Sequence, residues 1–284
     1  MSKLACVLVL AAAGCGGAAP APAPAPTSAP GNAAAPPPRC DPSDLATCDR
    51  ACVAGDIEVC AQLGALYATA EGELADLRDV PRAARYLEKA CAADELPSCY
   101  LLAWSLDQGT ELGPDLARAA TLYQRACAGG VPAACGALGT MAEDGRGVPK
   151  DEARAAELYR IPCDRGDQGY CTNLGRMYKY GRGVPRDLAR ARALFDAACT
   201  KAEQLACNNL GVMYEQGIGV AVDYARAHAL YTQACDGGEP RGCHNLGVLA
   251  ANGSGEPADP AAARAWFQRA CDAGLAESCA QVAP

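Results

Sequence analysis

The segment that decides the fold begins Cys207-Asn208-Asn209-Leu210-Gly211-Val212-Met213-Tyr214. It continues through Gly217-Ile218-Gly219 to Asp223 and closes with Ala234-Cys235-Asp236-Gly237-Gly238. It reads as two helices. The first stops at the Gly-x-Gly, because glycine just past a helix takes the left-handed conformation without Cβ strain. The second opens at Asp223, whose carboxylate accepts orphan backbone N–H groups and suits the positive end of the helix dipole. Ala227, Leu230, Tyr231 and Ala234 then fall at helical spacing. A large ring beside small alanines fits packing between neighbouring helices.

Outward from this segment the unit recurs every 36 residues. Cys91, Cys127, Cys163, Cys199, Cys235 and Cys271 form one series. Cys99, Cys135, Cys171, Cys207, Cys243 and Cys279 form a second, eight residues behind. Cys52 and Cys60 make a further pair, displaced by a three-residue insertion, and Cys40 and Cys48 an eighth. Leu210 has counterparts at Leu102, Leu138, Leu174 and Leu246, and Gly211 at Gly139, Gly175 and Gly247. Asp223 has counterparts at Asp79, Asp115, Asp151, Asp187 and Asp259. Glycine inside a helix costs about 1 kcal/mol against alanine, so its recurrence points to close approach of another helix. The ring series Tyr123, Tyr159, Phe195, Tyr231 and Phe267 is expected in the core rather than as a binding stripe.

Self-similarity at this period marks stacked repeats, each burying its apolar face on its neighbours. The expected fold class is all-α, an α/α superhelical solenoid of helix pairs. Six pairs are expected, with an N-terminal half-unit near Pro42 to Val53 and a short C-terminal helix near Ala276 to Val282. In each unit the first helix is termed helix A and the second helix B.

Residues eight apart on a continuous helix are separated by about 12 Å of rise, whereas a disulfide needs Cα atoms about 5.5 Å apart. The turn between helix B of one unit and helix A of the next must fold the two cysteines together. The expected pairs are Cys40–Cys48, Cys52–Cys60, Cys91–Cys99, Cys127–Cys135, Cys163–Cys171, Cys199–Cys207, Cys235–Cys243 and Cys271–Cys279. Two local departures stand out. Glycine follows the first Cys of a pair by three residues at Gly55, Gly130, Gly166, Gly238 and Gly274, but Asp94 and Ala202 hold that place elsewhere. Pro162 stands where other units have alanine. Proline in a helix interior costs about 3 kcal/mol, so a kinked or shortened helix is expected there.

The chain of 284 residues has 18 cysteines and a formal net charge of -8. Cytosolic thiols stay reduced, so such a chain is metal-loaded or exported. The short apolar run from Leu4 to Ala13 fits a secretory signal and is too short to span a bilayer. Ala12-Ala13-Gly14-Cys15 resembles a bacterial lipobox. Residues 1–14 are therefore expected to be a lipoprotein signal peptide. Residues 15–39 are expected to be a lipidated Cys15 and an Ala/Pro-rich linker, and residues 40–284 the solenoid. With Cys6 removed and Cys15 lipidated, sixteen cysteines remain, an even number. The acidic balance argues against nucleic acid and anionic lipid as partners.

The patterns Leu210-Gly211-Val212-Met213-Tyr214, Gly-x-Gly-Val-x-x-Asp and Ala234-Cys235-Asp236-Gly237-Gly238 resemble the Sel1-like repeat family, from about Cys40 to the C-terminus. The cysteine pair eight apart is similar to one branch of it, the Helicobacter cysteine-rich proteins. The resemblance implies a superhelix like tetratricopeptide repeats, exported and disulfide-bonded. It also implies binding of proteins or peptides in the concave groove, or, in the Helicobacter branch, penicillin binding with weak β-lactamase activity.

The residues favour binding over catalysis. The Ser-x-x-Lys, Ser-Asp-Asn and Lys-Thr-Gly motifs of serine β-lactamases do not occur. His228 and His244 are the only histidines, too few for a zinc enzyme. Seven residues separate paired cysteines, unlike zinc or Cys-x-x-Cys redox sites. No catalytic residue, metal or cofactor is expected. Helix A carries Asn173, Asn209 and Asn245, 36 apart, which could hydrogen-bond an extended peptide or, the alternative, the neighbouring repeat or the turn. Arg176, Lys179, Tyr180, Glu215 and His244 are further groove candidates. The expectation is a monomeric, non-catalytic scaffold or adaptor in the bacterial envelope, held by its lipid anchor, with an unidentified protein or peptide ligand. The alternative is a penicillin-binding protein with weak β-lactamase activity.

Overall fold

The structure, a computed structural model, describes residues 40–109 and 111–282. The expected signal peptide, Cys15 and the linker lie outside the described residues. Among those residues the chain is helical, with no strand. A 3-10 turn, Pro42–Asp44, leads into α1 (Leu45–Ala54). Six helix pairs follow: α2 (Ile57–Thr69) with α3 (Val80–Ala92), α4 (Leu96–Gln108) with α5 (Leu116–Ala128), α6 (Pro132–Asp144) with α7 (Glu152–Asp164), α8 (Gln168–Tyr180) with α9 (Leu188–Thr200), α10 (Gln204–Gln216) with α11 (Tyr224–Asp236), and α12 (Pro240–Asn252) with α13 (Pro260–Asp272). The short α14 (Ala276–Val282) closes the array, and a 3-10 turn, Gly72–Leu77, carries the insertion between α2 and α3.

The caps follow from the sequence. Every helix B starts at its aspartate, and the carboxylate accepts backbone N–H groups of the first turn. Asp187 accepts from Arg190 N at 2.9 Å and Asp223 from Arg226 N at 2.9 Å. Each such cap is worth about 1 kcal/mol. Helices α4, α6, α8, α10 and α12 end at left-handed glycines, with φ between 59° at Gly109 and 74° at Gly145.

The turn from helix B to the next helix A brings the paired cysteines together. Cα atoms are 4.6–4.8 Å apart in the seven bridges from Cys52–Cys60 to Cys271–Cys279, and 5.3 Å in Cys40–Cys48. In the seven bridges that follow a full helix, from Cys52–Cys60 onward, the third residue after the first Cys has positive φ. Gly130, Gly166, Gly238 and Gly274 sit near 92°, while Asp94 and Ala202 hold 65° and 63°. The bridge and the turn hydrogen bonds thus impose the conformation even where no glycine relieves it. An L-residue there is strained by roughly 1–2 kcal/mol. Ala202→Gly should accordingly raise stability by about 0.5–1 kcal/mol in urea unfolding, the relief exceeding the added unfolded-state entropy. Asp94 has a compensating ion pair to Arg125 at 2.5 Å, so Asp94→Gly should gain less.

The core is a series of rings, most of them seated on glycines; the unit of Tyr123 has Ala103 at the glycine's place. Tyr123, Tyr159, Phe195 and Tyr231 are fully buried. An added Cβ would come within 2.7 Å of the Phe195 ring at Gly175 and within 2.6 Å of the Tyr231 ring at Gly211. Gly139 and Gly247 meet Tyr159 and Phe267 in the same way. Gly139, Gly175, Gly211 and Gly247 are therefore sockets for the ring of the same unit's helix B. Burying each ring contributes roughly 2–3 kcal/mol, which outweighs the glycine penalty.

Pro162 corrects one expectation. Helix α7 runs 13 residues, as long as its counterparts, so no shortening occurs. The proline lies in the last turn, where it forfeits a single intrahelical bond. Its ring is buried, and its carbonyl still accepts from Asp167 N at 3.0 Å.

Candidate functional site

Helices A of successive units approach one another, α2 to α4 and α8 to α10, more closely than any two helices B do. Closer spacing on one side curves the array toward that side, so helices A line the inner face. The face itself follows from helical period. On α8 the open positions 169, 173, 176 and 180 form one stripe at i, i+4, i+7 and i+11, apart from the partly open Gln168 and Tyr178. The register carries over every 36 residues. Two positions of the stripe read Leu101 and Trp104 on α4, Ala137 and Thr140 on α6, Asn173 and Arg176 on α8, Asn209 and Val212 on α10, and Asn245 and Val248 on α12.

Asn173, Arg176, Asn209 and Asn245 thus share one face, but their amides are not an unoccupied ladder. Asn245 Nδ2 donates to Asn208 Oδ1 of the preceding unit at 2.8 Å. Asn209 Nδ2 donates to Leu205 O of its own helix at 2.9 Å, and Asn173 Oδ1 accepts from Arg176 at 3.2 Å. The alternative reading, contact with the neighbouring repeat, describes Asn245. Among the described residues Asn209 Oδ1 and Asn173 Nδ2 have no hydrogen-bond partner. Sequence reasoning missed the apolar members: Trp104, Val212 and Val248 occupy the register of Arg176, and that shared register was readable in the 36-residue spacing.

Beside the stripe runs a row of ionisable residues, Asp107, Glu143, Lys179 and Glu215, again 36 apart. The acids are tied to the fold. Tyr159 OH donates to Glu143 at 2.7 Å and Tyr231 OH to Glu215 at 2.6 Å. Arg182, from the loop of the next unit, pairs with Glu143 at 3.0 Å, and Arg146 pairs with Asp107 in the same manner. Burial pushes the Tyr159 and Tyr231 hydroxyls well above the usual phenol range, the facing carboxylates adding to it. These hydroxyls therefore stay protonated donors. Burial likewise raises the carboxyl of Glu203, the N-cap residue of α10, with Asp167 and Glu239 along the same edge adding to the effect.

For hydrolysis the structure supplies little. His244 Nδ1 lies 2.8 Å from Ser278 Oγ, a pairing the sequence did not reveal. Ser278 is completely buried and the His244 ring tilts against Phe267, so no substrate reaches that hydroxyl. His228 is exposed on helix B. Among the described residues no group of three or more His, Cys, Asp or Glu is placed to hold a metal.

Six units of this chain match the Sel1 repeat, over residues 57–95, 96–131, 132–167, 170–202, 204–239 and 240–275. The chain belongs to the Sel1 repeat family, whose helix-pair arrays typically act as protein-interaction scaffolds. Among solved structures it is similar to a protective antigen of uropathogenic Escherichia coli with an SLR fold, at 24% identity and a TM-score of 0.69. That match covers 84% of this chain and 50% of the antigen, so the chain spans about half the length of that protein. It is also similar to a Sel1 repeat protein from Oxalobacter formigenes, at 25% identity and a TM-score of 0.63, covering 69% of this chain and 80% of the other. Helicobacter pylori cysteine-rich protein B shares 28% identity over 47% of this chain and 96% of its own, at a TM-score of 0.38. No curated protein matches the sequence.

Proposed function

We propose that this chain is a non-catalytic scaffold that binds an extended segment of a partner protein along the helix A stripe. The observation that carries the reading is the stripe itself. It recurs in unit after unit, apolar at Leu101 and Trp104 and pairing an amide with a valine at Asn209–Val212 and Asn245–Val248, while the rings and acids beside it are committed to the core. Repeat arrays present extended surfaces of this kind, in which each unit reads a short piece of the ligand. An extended peptide gains main-chain hydrogen bonds from amides such as Asn209 and side-chain burial from Trp104, Val212 and Val248.

Disulfides at this density persist in oxidising, exported compartments. Among the described residues no helix is long and apolar enough to cross a membrane. An envelope location with attachment through a lipid on Cys15 fits both facts and is part of the proposal. A monomer is part of the proposal as well, with α1 packed on α2 and α14 on α13.

The test is peptide display on the oxidised protein. Selected peptides should bind the wild type and lose at least about tenfold in affinity on Val212→Arg. Arg192→Glu, on the exposed side of α9, should leave them unchanged. Peptides indifferent to Val212→Arg, or a failure to select any, would remove the helix A stripe as the binding face.

A further inference from the structure

Lys179 breaks a rule that the rest of its row obeys. At Asp107, Glu143 and Glu215 an acid faces two partner positions. One is the ring of its own helix B, and the other is the residue after the glycine cap of the next unit. Each acid keeps at least one polar partner there: Arg146 for Asp107, Tyr159 and Arg182 for Glu143, and Tyr231 for Glu215. At Lys179 the two positions hold Phe195 and Ile218. Both polar partners have been replaced by apolar groups in the one unit where the charge is reversed.

The stem is nonetheless inside, with Lys179 only 3% exposed, and the little surface it keeps includes the ammonium nitrogen. Among the described residues no carboxylate pairs with its ammonium and no acceptor hydrogen-bonds to it. Its recorded neighbour is the Tyr180 ring, 5.0 Å from Nζ. A lysine whose stem is packed in the core and whose ammonium reaches the surface without a counter-charge holds that charge ready for an external partner. Tyr180 is 59% exposed and stands on the stripe beside the ammonium, so a ligand lying on the stripe meets both groups. Arg176, one turn earlier on the same stripe, carries a second positive charge, at 3.7 Å from the already paired Glu143.

We propose that Lys179, flanked by Tyr180 and Arg176, receives a carboxylate of the bound segment and so fixes its register on the helix A stripe. The proposal rests on the reading of that stripe as a peptide-binding face. The missing counter-ion is then supplied by the ligand, as an aspartate or glutamate side chain or a free C-terminus. The apolar Phe195 and Ile218 strengthen the contact by keeping water from the ion pair. A purely structural role is the competing explanation, since a lysine in the last turn of a helix meets the negative end of the dipole.

The experiment uses the oxidised full chain and fluorescein-labelled nonapeptide libraries, degenerate except at the centre. The centre is fixed as Asp or Asn, and each library is made with a free or an amidated C-terminus. Fluorescence polarisation should show the wild type binding the Asp or the free-terminus library at least about tenfold more tightly than the Asn-amide library. The arm that shows the preference identifies the source of the carboxylate. Lys179→Met should abolish the preference, keep the Asn-amide affinity, and melt at or above the wild-type temperature. Lys179→Arg should retain the preference. Binding of the libraries without an acidic preference, or a preference that survives Lys179→Met, overturns the carboxylate site and leaves the peptide face standing. If neither library binds the wild type, the peptide face fails and the carboxylate site fails with it.

Discussion

Full reduction of the disulfides should unfold the array at 25 °C, read as loss of the helical circular-dichroism signal in a strong reductant. Each bridge closes a loop of nine residues from Cys to Cys, which in the chain-entropy model contributes about 2.5 kcal/mol. Eight bridges together exceed the 5–15 kcal/mol of net stability ordinary for a domain, even after allowing for non-additivity. The interfaces between units are not expected to make up the difference, because a typical pair buries only one ring and two leucines or methionines among its alanines. Removal of a single bridge should be graded by position. Cys199→Ser with Cys207→Ser, in the middle of the array, should cost about 2–4 kcal/mol and lower the melting temperature clearly. The same double change at Cys40 and Cys48 touches only the end of the array and should cost less. A reduced protein that keeps its helicity and a cooperative melt would show that packing alone holds the solenoid.

The second large effect is expected at Gly183. Its φ is +65°, and a Cβ there would sit 2.1 Å from the carbonyl oxygen of Glu152, which opens the preceding helix B. The obstacle is backbone, so it cannot rotate away. Gly183→Ala should lower stability by about 3 kcal/mol, from overpacking and left-handed strain together. Gly166 supplies the control. It has φ +91° but open space around the Cβ position, so Gly166→Ala should cost only the conformational strain, about 1–2 kcal/mol. Equal losses in urea titrations of the two variants would contradict the close approach of this loop to α7.

Both glycines look alike in the sequence, as residues just past a helix, and the difference between them shows how far the sequence could be read. Period, helix order, the aspartate caps and the seating of rings against small residues are local matters, set by residues within one unit. Those were legible from Asp223, Gly211 and Tyr231 and from their recurrence. Contacts between units were not. Nothing in the linear order says that Asn245 donates to Asn208 or that Arg182 reaches back to Glu143. The shared stripe of Asn173, Asn209 and Asn245 could be inferred, but not that their amides are partly spent inside the fold. Lys179 entered as one groove candidate among several. Its distinction lies in Phe195 and Ile218, which only the fold places as its partners. Pro162 was misjudged for a related reason, because the end of the helix decides what a proline costs.

The claim that unites these features is that ligand meets the helix A stripe and leaves the helix B side free. Site-specific photocrosslinking in the native envelope tests it most directly. A photoreactive residue would be placed singly at position 212 on α10 and at position 192 on α9. The account predicts that position 212 crosslinks a discrete partner, that position 192 does not, and that a competing peptide selected on the purified protein suppresses the adduct. Adducts formed from position 192 and not from position 212 would contradict it.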